Sequence, residues 1–80
     1  MTHRVLLFAS YADALGGPSV DVALPEGATV STLVERLRAM PGSERLPSRP
    51  VVAVNHVYAR YDQRVAPGDE IAVIPPVAGG

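Results

Sequence analysis

Thr29-Val30-Ser31-Thr32-Leu33-Val34-Glu35-Arg36-Leu37-Arg38-Ala39-Met40 is the stretch on which the reading of this chain turns. Val30, Leu33, Val34, Leu37 and Met40 recur at the i, i+3, i+4, i+7 spacing of a helix with one apolar face, and Thr29 stands where an N-cap belongs. Glu35, Arg36 and Arg38 fall on the opposite, wet face. Pro41-Gly42 closes the segment, because proline disfavours helix in the residue before it. One long helix is therefore predicted, and everything around it is patterned for strands.

Upstream, Arg4-Val5-Leu6-Leu7-Phe8-Ala9-Ser10 is short, apolar and β-prone, and predicts a first, central strand. Tyr11 to Leu15 can form one helical turn before Gly16-Gly17-Pro18 stops it. In Val20-Asp21-Val22-Ala23-Leu24 the apolar residues alternate at period two, the mark of a strand with one buried face. Downstream of the helix, Pro41 to Pro50 reads as a mobile polar loop. Val51-Val52-Ala53-Val54 reads as a buried strand, Asn55-His56 as a turn, and Val57-Tyr58 as a short returning strand. Ala66-Pro67-Gly68-Asp69 is a turn that opens the last strand, Glu70 to Ile74. The order is strand, strand, long helix, strand, short strand, strand. It predicts an α+β fold in which a mixed sheet packs on one main helix, the β-grasp arrangement of ubiquitin. A single domain over residues 1–75 is expected, with residues 76–80 as a flexible tail.

At 80 residues the chain holds one domain, which buries roughly 60–65% of the surface of its unfolded chain. With 48% hydrophobic and 19% charged residues it is globular in composition, and a net charge of −1 without a basic stripe argues against a nucleic-acid partner. The apolar run Val5 to Ala9 is too short for a signal segment or a membrane span, so a cytoplasmic protein with no membrane partner is expected. Two absences narrow the chemistry further. There is no cysteine and no lysine. The chain cannot carry a persulfide, a Cys-ligated metal or a Schiff base, and it offers no side-chain amine for linking copies together.

Covalent work is left to the end of the sequence. Pro75-Pro76 must end the last strand, since neither can donate to a sheet ladder. The residues after Pro76 then reach about 13 Å from the body at roughly 3.3 Å per residue. Gly79 and Gly80 have no side chains and would pass a narrow channel. A terminal carboxyl with a reference pKa near 3.5 is an anion at neutral pH, able to attack the α-phosphate of ATP. Displacement of the resulting acyl-adenylate by a sulfur nucleophile would leave a thiocarboxylate on Gly80. A terminal Gly-Gly alone arises by chance in roughly one chain in 200, so the context must carry the reading.

That context is a resemblance. Leu7-Phe8-Ala9-Ser10 with Leu15-Gly16, Glu26-Gly27-Ala28-Thr29-Val30, Val54-Asn55, Pro67-Gly68-Asp69-Glu70-Ile71 and Ile74-Pro75-Pro76-Val77-Ala78-Gly79-Gly80 resemble the small subunits of molybdopterin synthase. The likeness runs nearly end to end, and the segment from Gly68 to Gly80 is its most specific part. It implies a sulfur carrier for molybdenum cofactor biosynthesis, adenylated by an enzyme of the ubiquitin E1 type that uses ATP, with no cofactor bound by this chain. It also implies a tail inserted into a large synthase subunit, in a heterotetramer, where sulfur passes to a cyclic pyranopterin and the partner supplies the active site. Ala12-Asp13 departs from the Arg-Glu pair frequent in the family. Val77-Ala78-Gly79-Gly80 also suits carriers for cysteine or thiazole biosynthesis, and a ubiquitin-like modifier or a plain interaction domain remain open on the residues alone.

A tail of this size gives a partner little to hold, so a surface patch is expected beside it. If Val5, Leu7 and Val73 face the helix, period two leaves Phe8 and Ile74 on the open face of the sheet, with Tyr58 beside them. Phe8, Tyr58, Ile74, Pro75, Pro76, Val77 and Ala78 are thus the expected partner-binding residues, and Gly80, preceded by Gly79, the catalytic end. Other constellations read blandly. His3 and His56 are far apart and suggest surface histidines rather than a metal site. Asp69-Glu70 is explained by turn chemistry, and no Ser-His-Asp arrangement or phosphate-cradling glycine loop is present.

Overall fold

The computed structural model of the protein describes residues 1–75. Pro76, Val77, Ala78, Gly79 and Gly80, and with them the expected tail, lie outside the described residues. The elements are β1 (Thr2–Leu7), α1 (Ala9–Leu15), β2 (Ser19–Ala23), α2 (Val30–Arg38), β3 (Val51–Val54), β4 (Val57–Tyr58) and β5 (Ile71–Ile74), with a 3₁₀ turn at Ser43–Arg45. The strands form one five-stranded sheet in the order β2-β1-β5-β3-β4. β1 and β5 run parallel, with Val5 opposite Ile71, Leu6 opposite Ala72 and Leu7 opposite Val73. The other neighbours are antiparallel. This is the mixed sheet of the ubiquitin-like β-grasp fold, as the sequence pattern requires.

α2 lies across one face of that sheet. Thr29 is its N-cap: the extended backbone there lets Oγ1 accept from the Thr32 N–H at 3.4 Å. The first N–H groups of a helix have no partner within it. Here the segment after β4 satisfies two of them, Val30 N–H donating to the Gln63 carbonyl at 2.9 Å and Ser31 N–H to the Tyr61 carbonyl at 3.0 Å. Val30, Leu33, Val34 and Leu37 are buried from one side of the helix, and Val5, Leu7, Val22, Val52, Val54, Ile71 and Val73 meet them from the sheet. Tyr11 of α1 and Leu46 close the core. On the wet side, Arg36 reaches the outer edge of the sheet and donates to the Ala23 carbonyl of β2 at 2.9 Å.

Three expectations are corrected. β1 spans Thr2–Leu7, so Phe8 leaves the strand and becomes the N-cap position of α1, while its extended φ and ψ preserve the alternation of the strand for one more residue. α2 ends at Arg38, short of Met40, which is half-buried. The segment Pro41 to Pro50 is packed rather than a free polar loop. Ser43 is buried with its hydroxyl donating to the Arg38 carbonyl at 2.6 Å, and Leu46 and Pro50 are buried too. Gly42 explains the path of that segment: it has φ +90°, and a Cβ there would lie 2.1 Å from the Ala14 carbonyl oxygen. Only glycine lets the segment lie against the end of α1.

Leu33 is fully buried, so Leu33→Ala should destabilise the domain by about 2–5 kcal/mol in chemical denaturation. Gly42→Ala should lower the melting temperature through backbone displacement alone, whereas Gly17→Ala, with nothing closer than 3.9 Å, should not match it.

Candidate functional site

The face of the sheet away from α2 is uneven. Towards β2 it displays Thr2, Arg4 and Asp21, which are exposed and polar. Towards β4 it is apolar. Leu6, Phe8, Ala53, Tyr58, Ala72 and Ile74 line a groove of about 280 Å³, with His56 and Glu70 at its polar end. The alternation explains the lining: Ala53 pairs with Tyr58 across β3 and β4, Ala53 with Ala72 across β3 and β5, and Leu6 with Ala72 across β1 and β5. Phe8 is 47% exposed and Tyr58 76% exposed, large apolar surface for so small a domain. Val51, opposite Ile74, extends this surface at 48% exposed, although it stands in a strand read as buried.

The structure therefore brings Phe8, Tyr58 and Ile74 together. Pro75 follows directly on Ile74 and is half-buried. Pro76, Val77, Ala78, Gly79 and Gly80 are outside the described residues, but the strand that leads to them starts at the polar end of the groove and leaves at the Phe8 end.

The polar end is built by a hydrogen-bonded clasp that the sequence reading reduced to turn chemistry. Asn55 and His56 adopt left-handed backbone conformations, φ 53° and 69°, as the two central residues of the tight turn joining β3 to β4. The Asn55 side chain donates to Asp69 Oδ1 at 2.9 Å and accepts from the Glu70 N–H at 2.9 Å, while the Asn55 N–H donates to the Glu70 carbonyl at 2.7 Å. The other Asp69 oxygen accepts from the Ala66 N–H at 2.8 Å. His56 Nε2 then lies 2.9 Å from Glu70 Oε2. The Ala66 N–H and the Asn55 amide favour the Asp69 carboxylate and hold its pKa below the ordinary aspartate value, against the opposing effect of burial and with a lesser contribution from the nearby His3. His3 is buried, not a surface histidine as its isolation in sequence suggested. Its place in β1, in step with Val5 and Leu7, was the signal that should have found it. Among the described residues no group of three or more His, Cys, Asp or Glu side chains could hold a metal ion, and no helix is long and apolar enough to cross a membrane.

Residues 5–80 match the ThiS family. The chain belongs to that family. A curated relative, the molybdopterin synthase sulfur carrier subunit of Arabidopsis thaliana, is 35% identical over 96% of this chain and 81% of its own length. Among solved structures, SAMP1 from Haloferax volcanii superposes with a TM-score of 0.84 at 31% identity, all of each chain being covered. A complex of subunits 1 and 2 of the molybdopterin-converting factor from Helicobacter pylori shares the fold, with a TM-score of 0.72 at 20% identity and full coverage of both chains.

Asp69 is depressed in the folded state, so its ionisation stabilises the fold above the ordinary aspartate value of 3.8 and that contribution is lost as pH falls through its lower folded value. Acid unfolding of Asp69→Asn followed by circular dichroism should show a shallower dependence on pH than the unsubstituted chain in the window between 3.8 and the lower folded value.

Proposed function

We propose that this chain is the sulfur carrier of a molybdopterin synthase, acting through the carboxylate of Gly80. The observation that carries the proposal is family membership joined to geometry. Curated relatives similar over 81% and 100% of their own length are molybdopterin synthase sulfur carrier subunits, and the strand leading to Gly80 runs beneath an apolar groove fit for a protein partner.

The chemistry is short. The Gly80 carboxylate attacks the α-phosphorus of ATP, pyrophosphate leaves, and an acyl-adenylate remains. Hydrosulfide adds to that carbonyl and AMP departs, leaving the thiocarboxylate. Where the sulfur arrives as a donor persulfide, a second thiol cleaves the acyl disulfide so formed, releasing the thiocarboxylate and leaving that thiol joined to the donor as a disulfide. In the large subunit the sulfur passes to a cyclic pyranopterin, and water returns Gly80 to the carboxylate. ATP and pyranopterin are bound by the adenylating enzyme and the large subunit, so this chain contributes a reacting terminus and a handle. It does not catalyse alone. The pair Gly79-Gly80 keeps the reacting carbonyl free of side chains, which suits a narrow channel. Phe8, Tyr58, Ile74 and Pro75 form the handle, and both partners engage it in turn. With no lysine, copies of the chain cannot be joined to one another through side-chain amines.

Intact mass spectrometry after incubation with the E1-like enzyme, ATP and a sulfur donor should show one oxygen of the chain replaced by sulfur, and the Gly80 deletion should show no such change while remaining folded. A chain that never gains sulfur under those conditions is not a carrier. One that gains sulfur but delivers none to the pyranopterin with the large subunit present serves another acceptor. Phe8→Ala and Ile74→Ala should each weaken binding to the large subunit by about 1–4 kcal/mol in calorimetry, with little change in the domain's melting.

A further inference from the structure

One carboxylate and one imidazole line the groove, those of Glu70 and His56, and among the described residues the ion pair each makes is with the other. The pair stands in water, with the His56 side chain 84% exposed and that of Glu70 49% exposed, so it holds weakly. The Glu70 backbone, by contrast, is fixed from both directions by Asn55, through the N–H bond to Asn55 Oδ1 and the carbonyl bond from the Asn55 N–H. A carboxylate is thus held at a defined place on the rim of an apolar surface, with a partner that is easily displaced.

Covering that surface takes Glu70 out of water. A buried carboxylate is costly unless a charge and hydrogen bonds replace its hydration. His56 is a poor replacement, because it is charged only when protonated and is itself exposed. Asp69, next in the chain, adds negative charge rather than relieving it. The other groups near Glu70 are Arg4 and His3, which share a hollow with it on the β1 side, yet neither forms an ion pair with Glu70 among the described residues.

We infer that Glu70 is a recognition point for a cation supplied by the docking partner: the large subunit presents an apolar patch bordered by an arginine or lysine, which displaces His56 and pairs with Glu70. Asn55 is then a positioning residue, since its two bonds to the Glu70 backbone set where the carboxylate meets the incoming charge. The inference rests on the open face being the docking surface, and it adds a charge requirement that an apolar groove alone does not impose.

Calorimetric titration of the large subunit with the full chain and its variants, at several salt concentrations, tests it. Glu70→Gln should weaken binding about tenfold or more and flatten its salt dependence, with Glu70→Lys weaker still. His56→Gln should bind as well as the unsubstituted chain or better, because the competing internal partner is gone. Arg4→Gln should change affinity little. Equal affinity and equal salt dependence for Glu70→Gln and the unsubstituted chain overturn the inference. A loss in Arg4→Gln matching that in Glu70→Gln also overturns it, by showing that the compensating charge comes from this chain. Phe8→Ala separates the layers of the argument. Weakened binding by Phe8→Ala with an indifferent Glu70→Gln removes only the cation, whereas indifference to Phe8→Ala removes the docking face itself. Thermal melts of each variant confirm that folded chains are compared.

Discussion

The parallel pairing of β1 with β5 is the constraint on which the rest of the molecule depends. It joins the first strand of the chain to the last, with Val5 opposite Ile71 and Leu7 opposite Val73, and so sets four side chains on the face that α2 covers. Because side chains alternate along a strand, the same register sends Leu6, Ala72 and Ile74 to the other face. Core and groove are two outcomes of one pairing. A slip by one residue would present the interior to water and bury the groove, and neither face could change without the other.

That coupling explains how much of the fold was legible in the sequence. Period two in Val20-Asp21-Val22-Ala23-Leu24 and helical spacing in Val30, Leu33, Val34 and Leu37 are local signals, and burial of those faces alone dictates both elements. The Asn55-His56 turn was legible for a similar reason, since few residues tolerate two successive left-handed conformations. Phe8 was placed on the correct face although it is not in the strand, because extended backbone at the start of α1 continues the alternation.

What escaped the sequence depends on contacts between distant segments. The bonds from Asn55 to Asp69 and Glu70 span 14 and 15 residues and have no periodic signature. His3 reads as polar by type and is buried by register. Gly42 reads as a terminator of α2, yet the stronger demand on it comes from Ala14, which only the folded chain brings near. The candidate site divides in the same manner: its apolar lining followed from alternation, and its charged end did not.

Arg36 has a bearing on behaviour at high protein concentration. β2 is an outer strand of the sheet, and a strand with unpaired carbonyls and N–H groups is a template onto which another chain can add. By donating to the Ala23 carbonyl, the Arg36 guanidinium occupies one of the acceptors an incoming strand would need and sets a charge beside the path of approach. The helix that organises the core thereby also blunts the sheet's margin, and growth of ordered aggregates from β2 is opposed by a side chain that takes no part in the core.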